Sequence, residues 1–376
     1  MIKEKKLQQI LNKTTNKKFI HGAVAHVKCK DFMWQGSAGN FHVDDQFFIA
    51  STTKLYTSAI ILQLQKEGKL YIEDLITHYL DWQTLEGLHI YKGIEYSHQL
   101  KIHHLMAQTS GLPDYFMGKL TVPSVTNLHP NTTLLKEIQS GRDQSWTFED
   151  TVALAKNMGA KFAPPPSPST VPSSLETLPS LSMNRAIEES SHRALYSDTN
   201  FQLLGKIIEK VCKKPIALVF DERIFKPLDL KKTYLYADVH DKKPHAIYYK
   251  NNVLTIPKAM ASFKADGGIV STVSELMKFL QAFFNGMFFP IEILPKLYQW
   301  NKIFFPLQYG IGLTLFQLPR LFSPFKPAPK FIGHSGLSGT FAFYNPAKNV
   351  FLTGSVNQVH QPSISFQMIM KMNNLF

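Results

Sequence analysis

Short runs with strand-like alternation stand at both ends of this 376-residue chain, and helix-like periodicity fills the interval between them. At the start, His21 to Cys29 and Phe32 to Ala38 read as a hairpin joined by Lys30-Asp31. At the end, Tyr309 to Gln317, Thr340 to Tyr344 and Val350 to Val356 are aromatic and β-branched runs, the last two joined by the turn Asn345 to Asn349. Between them, Thr52 to Lys66 is apolar at Leu55, Ala59, Ile60, Leu62 and Leu64, with Gly68 as a stop. Phe201 to Val211 repeats at i, i+3, i+4 and i+7 behind a Thr199/Gln202 capping pair, and Thr272/Glu275 caps a helix running towards Phe284. Strands from both termini must therefore meet in one sheet, with the helices inserted into it. The expectation is one folded unit over residues 1–376, with strands from about 20–45 and 305–358. A helical subdomain at about 70–265 and a basic helix or tail at 1–19 complete it.

Composition narrows the class. Apolar residues at 44% and charged residues at 18% exclude both a disordered chain and a polytopic membrane bundle. The net charge of +13 raises the question of polyanions, yet it is carried by 36 lysines and only five arginines spread along the chain. Lysine is a hydrated point charge and not a bidentate fork, so no specific nucleic-acid reader is expected. Cys29 and Cys212 fit neither a disulfide framework nor a metal spacing. His103-His104 are adjacent and no HExxH occurs, so no metal and no cofactor are expected. The start, MIKEKKLQQILNKTTNKKF, lacks the apolar run of a secretory signal, and no segment approaches the ~20 apolar residues of a spanning helix. These features point to a soluble, cytoplasmic protein; they leave the oligomeric state open. One stretch changes character: Ala163 to His192 holds six prolines and eight serines, an exposed insert that reads as a surface loop or as a flap over a nearby site.

Three short motifs follow in order: Ser51-Thr52-Thr53-Lys54, Tyr196-Ser197-Asp198 and His334-Ser335-Gly336. Taken singly, Ser51 reads as a helix cap, Lys54 as a surface lysine, Tyr196 as a core aromatic and the histidine segment as a turn. A second SxxK match, Ser323 to Lys326, lies among prolines and is set aside. In the first match, positions i and i+3 share a helical face, so the Lys54 amine can reach the Ser51 hydroxyl. A serine hydroxyl is a weak nucleophile that needs a base beside it and donors for the oxyanion formed on attack. Lys54 or Tyr196 can meet the first need, and a backbone N–H after the histidine segment together with that of Ser51 can meet the second. Gly336 leaves room for close approach at that edge.

With their surroundings, these motifs resemble the serine β-lactamase and penicillin-binding-protein family, in the branch of class C β-lactamases, D-alanyl-D-alanine carboxypeptidases and β-lactamase-like esterases. The segments IASTTKLYTSAIILQLQKEGKL, LKIHHLMAQTSGLPDY, YSDTNFQLLGKIIEKV, IFKPLDLKKTYL, DGGIVST and GHSGLSGTFAFYNP look like that family in its own order, over about residues 20–357. The resemblance implies an α+β fold of the β-lactamase/transpeptidase type, an antiparallel sheet flanked by helices with a mostly helical subdomain. It further implies Ser51 as acylated nucleophile, Lys54 as its proton-transfer partner, Tyr196 as base in acylation and donor to the leaving group, and Leu337 as the second oxyanion N–H. His334 would stand where the family more often has the lysine of a KTG motif, with Ser335 and Gly336 completing that edge.

Asp198 departs from the pattern, because the family usually has asparagine there. A carboxylate beside Lys54 favours the ammonium and moves the proton-accepting role towards Tyr196. A histidine at 334, titrating near pH 6.5, predicts carboxylate recognition that weakens as pH rises. The leading expectation is a metal-independent serine hydrolase, esterase-like on a small ester or amide, with a peptide-like substrate as the variant. The alternatives are a carboxypeptidase or class C-like β-lactamase and, from another class, a catalytically weak scaffold or binding protein.

Overall fold

The computed structural model describes residues 2–119, 132–165, 193–319, 321 and 328–376. The flap expectation for 163–192 and the second SxxK match therefore fall almost wholly outside the described residues. Eight antiparallel strands form the main sheet: β1 (Gly22–Cys29), β2 (Phe32–Gly39), β3 (Asn301–Phe304), β4 (Leu307–Tyr309), β5 (Thr314–Phe316), β6 (Phe331–Ser335), β7 (Phe341–Asn345) and β8 (Val350–Ser355). Their order is β3-β4-β5-β6-β7-β8-β1-β2, so the N-terminal hairpin completes a sheet begun by the C-terminal strands. The run expected from Tyr309 to Gln317 is split in two by a tight turn, where Gly312 has φ +78°. A Cβ on Gly312 would sit 2.3 Å from the Ser58 hydroxyl, whose hydrogen is donated to the Gly312 carbonyl at 3.0 Å. Close packing of the sheet on the helix bearing Ser58 thus interrupts the strand.

Successive strand residues face opposite sides. On one side, Ala23, Ala25, Val27, Val350 and Leu352 pack with Leu7 and Leu11 of α1 (Ile2–Thr15), the basic N-terminal segment, and with Ile364 and Met368 of the C-terminal helix Ser363–Asn373. On the other, Val24 and Phe351 join the larger core with α2 (Thr53–Lys66), α3 (Asp198–Cys212) and α4 (Val273–Phe284). Helix α2 has eleven buried positions, which makes it the central helix of the fold.

The two capping expectations fare differently. Thr272 caps α4 by accepting from the Glu275 N–H at 3.2 Å, while the Glu275 carboxylate turns away to accept from the Lys231 and Lys232 amides and the Thr233 hydroxyl. At α3 the expected Thr199/Gln202 box does not form. The helix begins at Asp198, Thr199 donates to the Pro113 carbonyl at 2.7 Å, and Gln202 donates to Asp266 at 3.0 Å. Tertiary partners on the neighbouring loop outcompete the local cap.

Candidate active site

The turn carrying Ser51 is held by backbone geometry. The Ile49 amide donates to the Ile269 carbonyl at 3.0 Å, and Ala50 then adopts left-handed backbone at φ +46°, a conformation that costs a non-glycine residue of order 1 kcal/mol or more. Ser51 lies in a 3-10 turn, Ala50–Thr52, that leads directly into α2. From the first turn of α2, Lys54 points back with no exposed surface, its ammonium donating to the Ser51 hydroxyl at 3.1 Å and to the Asp266 carbonyl at 2.7 Å. Asp198, at the first position of α3, pairs with it at 2.5 Å.

Burial pulls the Lys54 affinity for a proton down, but Asp198, Asp266 and Tyr309 together outweigh it and leave the pKa raised. The expected preference for the ammonium follows. The companion expectation, that Tyr196 takes up the accepting role, does not. Burial first and the nearby Asp198 second push its pKa well above the ordinary phenol value, against a smaller lowering by the Ser51 hydroxyl. Tyr196 rests as a proton donor, its ring 5.1 Å from the Lys54 ammonium.

His334, near the end of β6, is buried and hydrogen-bonded to the Tyr309 hydroxyl at 3.1 Å and to the Ser335 carbonyl at 2.8 Å. Burial and the Lys54 charge lower its pKa to about 3. The expected cation that fades from pH 5 to 8 is therefore corrected: the imidazole is neutral throughout that range. Gly336 also lines the cavity, and a Cβ there would lie 2.5 Å from the Ile49 carbonyl oxygen, so the glycine lets the strand end close against the nucleophile's turn. Ser335 and Leu337 border the same cavity as Ser51. Among the described residues the Ser51 and Leu337 amides have no intramolecular acceptor, which leaves both as candidate oxyanion donors.

Several members of the site were not foreseen. Asp266 accepts from Tyr115 at 2.8 Å and Gln202 at 3.0 Å, and burial followed by Asp198 raises its pKa to about 6. Asp114 is buried with one oxygen unpaired and the other accepting from the Phe116 amide at 2.8 Å; burial, then Asp198, raises its pKa well above the usual carboxylate range. In the sequence, Asp114 and Asp266 stand within the family-like segments LKIHHLMAQTSGLPDY and DGGIVST with no role attached, and Tyr309 only opens a strand-like run.

Ser51, Tyr196, Asp198, Asp266 and His334 form the floor of a cavity of about 490 Å³ whose walls include Phe116, Ile256, Met260, Ile303 and Phe366. Among the described residues no group of three or more histidine, cysteine or acidic side chains is arranged to hold a metal, and no helix is long and apolar enough to cross a membrane.

The family model described as Beta-lactamase matches residues 7–368. A putative D-alanyl-D-alanine carboxypeptidase of Escherichia coli O157:H7 is 22% identical over 347 residues, covering 84% of this chain and 69% of that protein. In structure, the chain is similar to a D-stereospecific amidohydrolase from Streptomyces sp. (TM-score 0.72, 22% identity, 97% of each chain). It is also similar to EstCE1, described as a hydrolase with promiscuous acyltransferase activity (TM-score 0.71, 15% identity, 99% of this chain and 98% of the other). A serine beside a buried lysine, a tyrosine at the same hydroxyl and a match over nearly the whole length lead to one conclusion: the chain belongs to the Beta-lactamase family and is a serine hydrolase that works by acyl transfer.

Proposed function

We propose that Ser51 forms the acyl-enzyme and that the preferred donors are esters. The observation that carries this reading is the continuous line from Ser51 to Lys54 at 3.1 Å and on to Asp198 at 2.5 Å. Because Lys54 rests as an ammonium, it becomes a base only by passing a proton to Asp198 as it accepts the one from Ser51. The serine O–H bond breaks, an Oγ–C bond forms, and the Ser51 and Leu337 amides stabilise the oxyanion. Collapse breaks the bond to the leaving group, whose oxygen takes the proton of Tyr196. The Asp198–Lys54 pair then returns a proton to Tyr196. Water repeats the sequence in deacylation, with Lys54 and Asp198 again receiving the proton.

Asp198 supports esters over amides. An asparagine at this position can donate to a substrate carbonyl, whereas a carboxylate paired with Lys54 only accepts. His334, Ser335 and Gly336 border the oxyanion side, with neutral His334 tying β6 to Tyr309.

Intact-mass measurement after exposure to a fluorophosphonate, and separately to a penicillin, tests the reading. An adduct on Ser51 with the phosphonate alone is expected. Adducts with both reagents would favour a penicillin-recognising carboxypeptidase, the activity named for the Escherichia coli relative. No adduct with either, from folded protein, would leave a scaffold and sink the proposal.

A further inference from the structure

The cavity over Ser51 has a one-sided chemistry. Among the described residues that line it, the charged groups are two carboxylates, Asp198 and Asp266, and there is no lysine or arginine. Lys54 lies beneath the floor, already engaged by Ser51, Asp198 and the Asp266 carbonyl. The histidine at the strand edge has both ring nitrogens occupied by Tyr309 and the Ser335 carbonyl. Burial holds that ring neutral, with a pKa of about 3. A substrate carboxylate entering here would lose its water, find no cation and face two groups of its own sign, a combination that disfavours an anion strongly.

The walls offer the opposite. Phe116, Ile256 and Met260 are buried side chains of one core cluster that reach the cavity from one side. Facing them is the β3–β4 hairpin, where Phe304 and Phe305 remain 51% and 69% exposed at the rim. Phe304 packs edge-on to the Tyr196 ring at 6.0 Å, so this rim begins one side chain away from the nucleophile. Exposed rings beside an apolar cavity of this volume are suited to an apolar ligand.

We infer that the donor for this site is an uncharged, hydrophobic ester, and that a free carboxylate on the donor excludes it. The inference rests on the acyl-enzyme reading above and specifies its substrate class. Burial of one methylene strengthens binding about fourfold, so even partial burial of a short chain accumulates a large ratio.

Turnover of p-nitrophenyl acetate, hexanoate and the half-ester of adipic acid, measured alongside fluorophosphonate labelling, tests it. The expected kcat/KM rises at least tenfold from acetate to hexanoate and falls at least tenfold from hexanoate to the adipoyl half-ester, which has the same number of carbons with the terminal methyl replaced by a carboxylate. His334→Lys places the missing cation at the strand edge and is expected to narrow the hexanoate-to-adipoyl ratio at least tenfold. Labelling of Ser51 with a flat chain-length profile, or with equal turnover of hexanoate and the half-ester, overturns the inference and leaves the acyl-enzyme intact. A folded protein that neither labels nor turns over any of the three overturns both.

Discussion

The floor and the walls of the cavity solve opposite problems with residues a few ångströms apart. Three carboxyl groups, one ammonium and three phenols are crowded into and behind the floor, and burial would penalise each charge if it stood alone. The walls hold almost nothing that can ionise. In the floor the penalty is met by pairing Lys54 with Asp198 and by the proton retained on Asp114; in the walls it never arises. The difference teaches that charge in this protein is confined to proton movement and is kept away from substrate recognition. A surface of +13 overall therefore surrounds a site that presents carboxylates.

The sharpest way to break that division is to unbalance the floor. Lys54→Met removes the partner of Ser51 and strands Asp198 without a cation. We expect acylation to fall by about 10³ or more, and stability to fall by about 3–5 kcal/mol, read by single-turnover labelling and denaturant melts. Retained acylation would show that the lysine is only structural. Asp198→Asn is milder. Without the carboxylate at 2.5 Å the Lys54 ammonium is less favoured, so the rising limb of kcat/KM should move to lower pH by about one unit, with a rate change near tenfold. An unchanged profile would remove Asp198 from the proton path.

Asp266→Asn probes the same floor more gently, because the backbone carbonyl that holds Lys54 is preserved. The Asp266 carboxyl has a pKa of about 6 in the folded chain, above its ordinary value. Its contribution to stability is therefore full at low pH and is lost as pH rises towards 6. Asparagine mimics the protonated form, so any inflection near pH 6 in kcat/KM should disappear, with only a severalfold change in rate. Persistence of that inflection would assign it to another group.

How much of this was legible follows from what each level of structure depends on. The sheet was readable because Gly22–Cys29, Phe341–Asn345 and Val350–Ser355 are short runs rich in apolar, β-branched and aromatic residues, as strands buried on both faces must be. Strand β5 was readable but not its break from β4, since the Gly312 contact with Ser58 joins segments far apart in the chain. Ser51 and Lys54 were visible because their contact is local to one turn. Asp114, Asp266 and Tyr309 were not, because they converge from three distant segments and carry no spacing that links them. The protonation states were likewise hidden: Tyr196 and His334 were identified by position, but their titration is set by burial and by Asp198 or Lys54, which only the packed arrangement supplies.

His334 stands where floor meets wall, and it gives the smallest of the expected effects. Its pKa of about 3, with His26 at about 4 and His104 at about 3, lies far below the ordinary 6.5, first because of burial in each case. The unfolded chain takes up these protons as pH falls through 6.5 while the folded chain does not. Stability is therefore present above pH 6.5 and lost below it, by about 1.4 kcal/mol per pH unit for each histidine. His89 is lowered in the same way by burial, whereas Asp114 and Asp266, both raised by burial, work in the opposite sense; two carboxyls do not offset four imidazoles. His334→Gln should remove about a quarter of the histidine slope in denaturant midpoints between pH 6 and 4.5. It should leave the hexanoate preference intact, since a neutral side chain replaces a neutral side chain. A slope unchanged by the substitution would mean that His334 carries a proton in the folded state, and the site would then hold the cation that its walls otherwise lack.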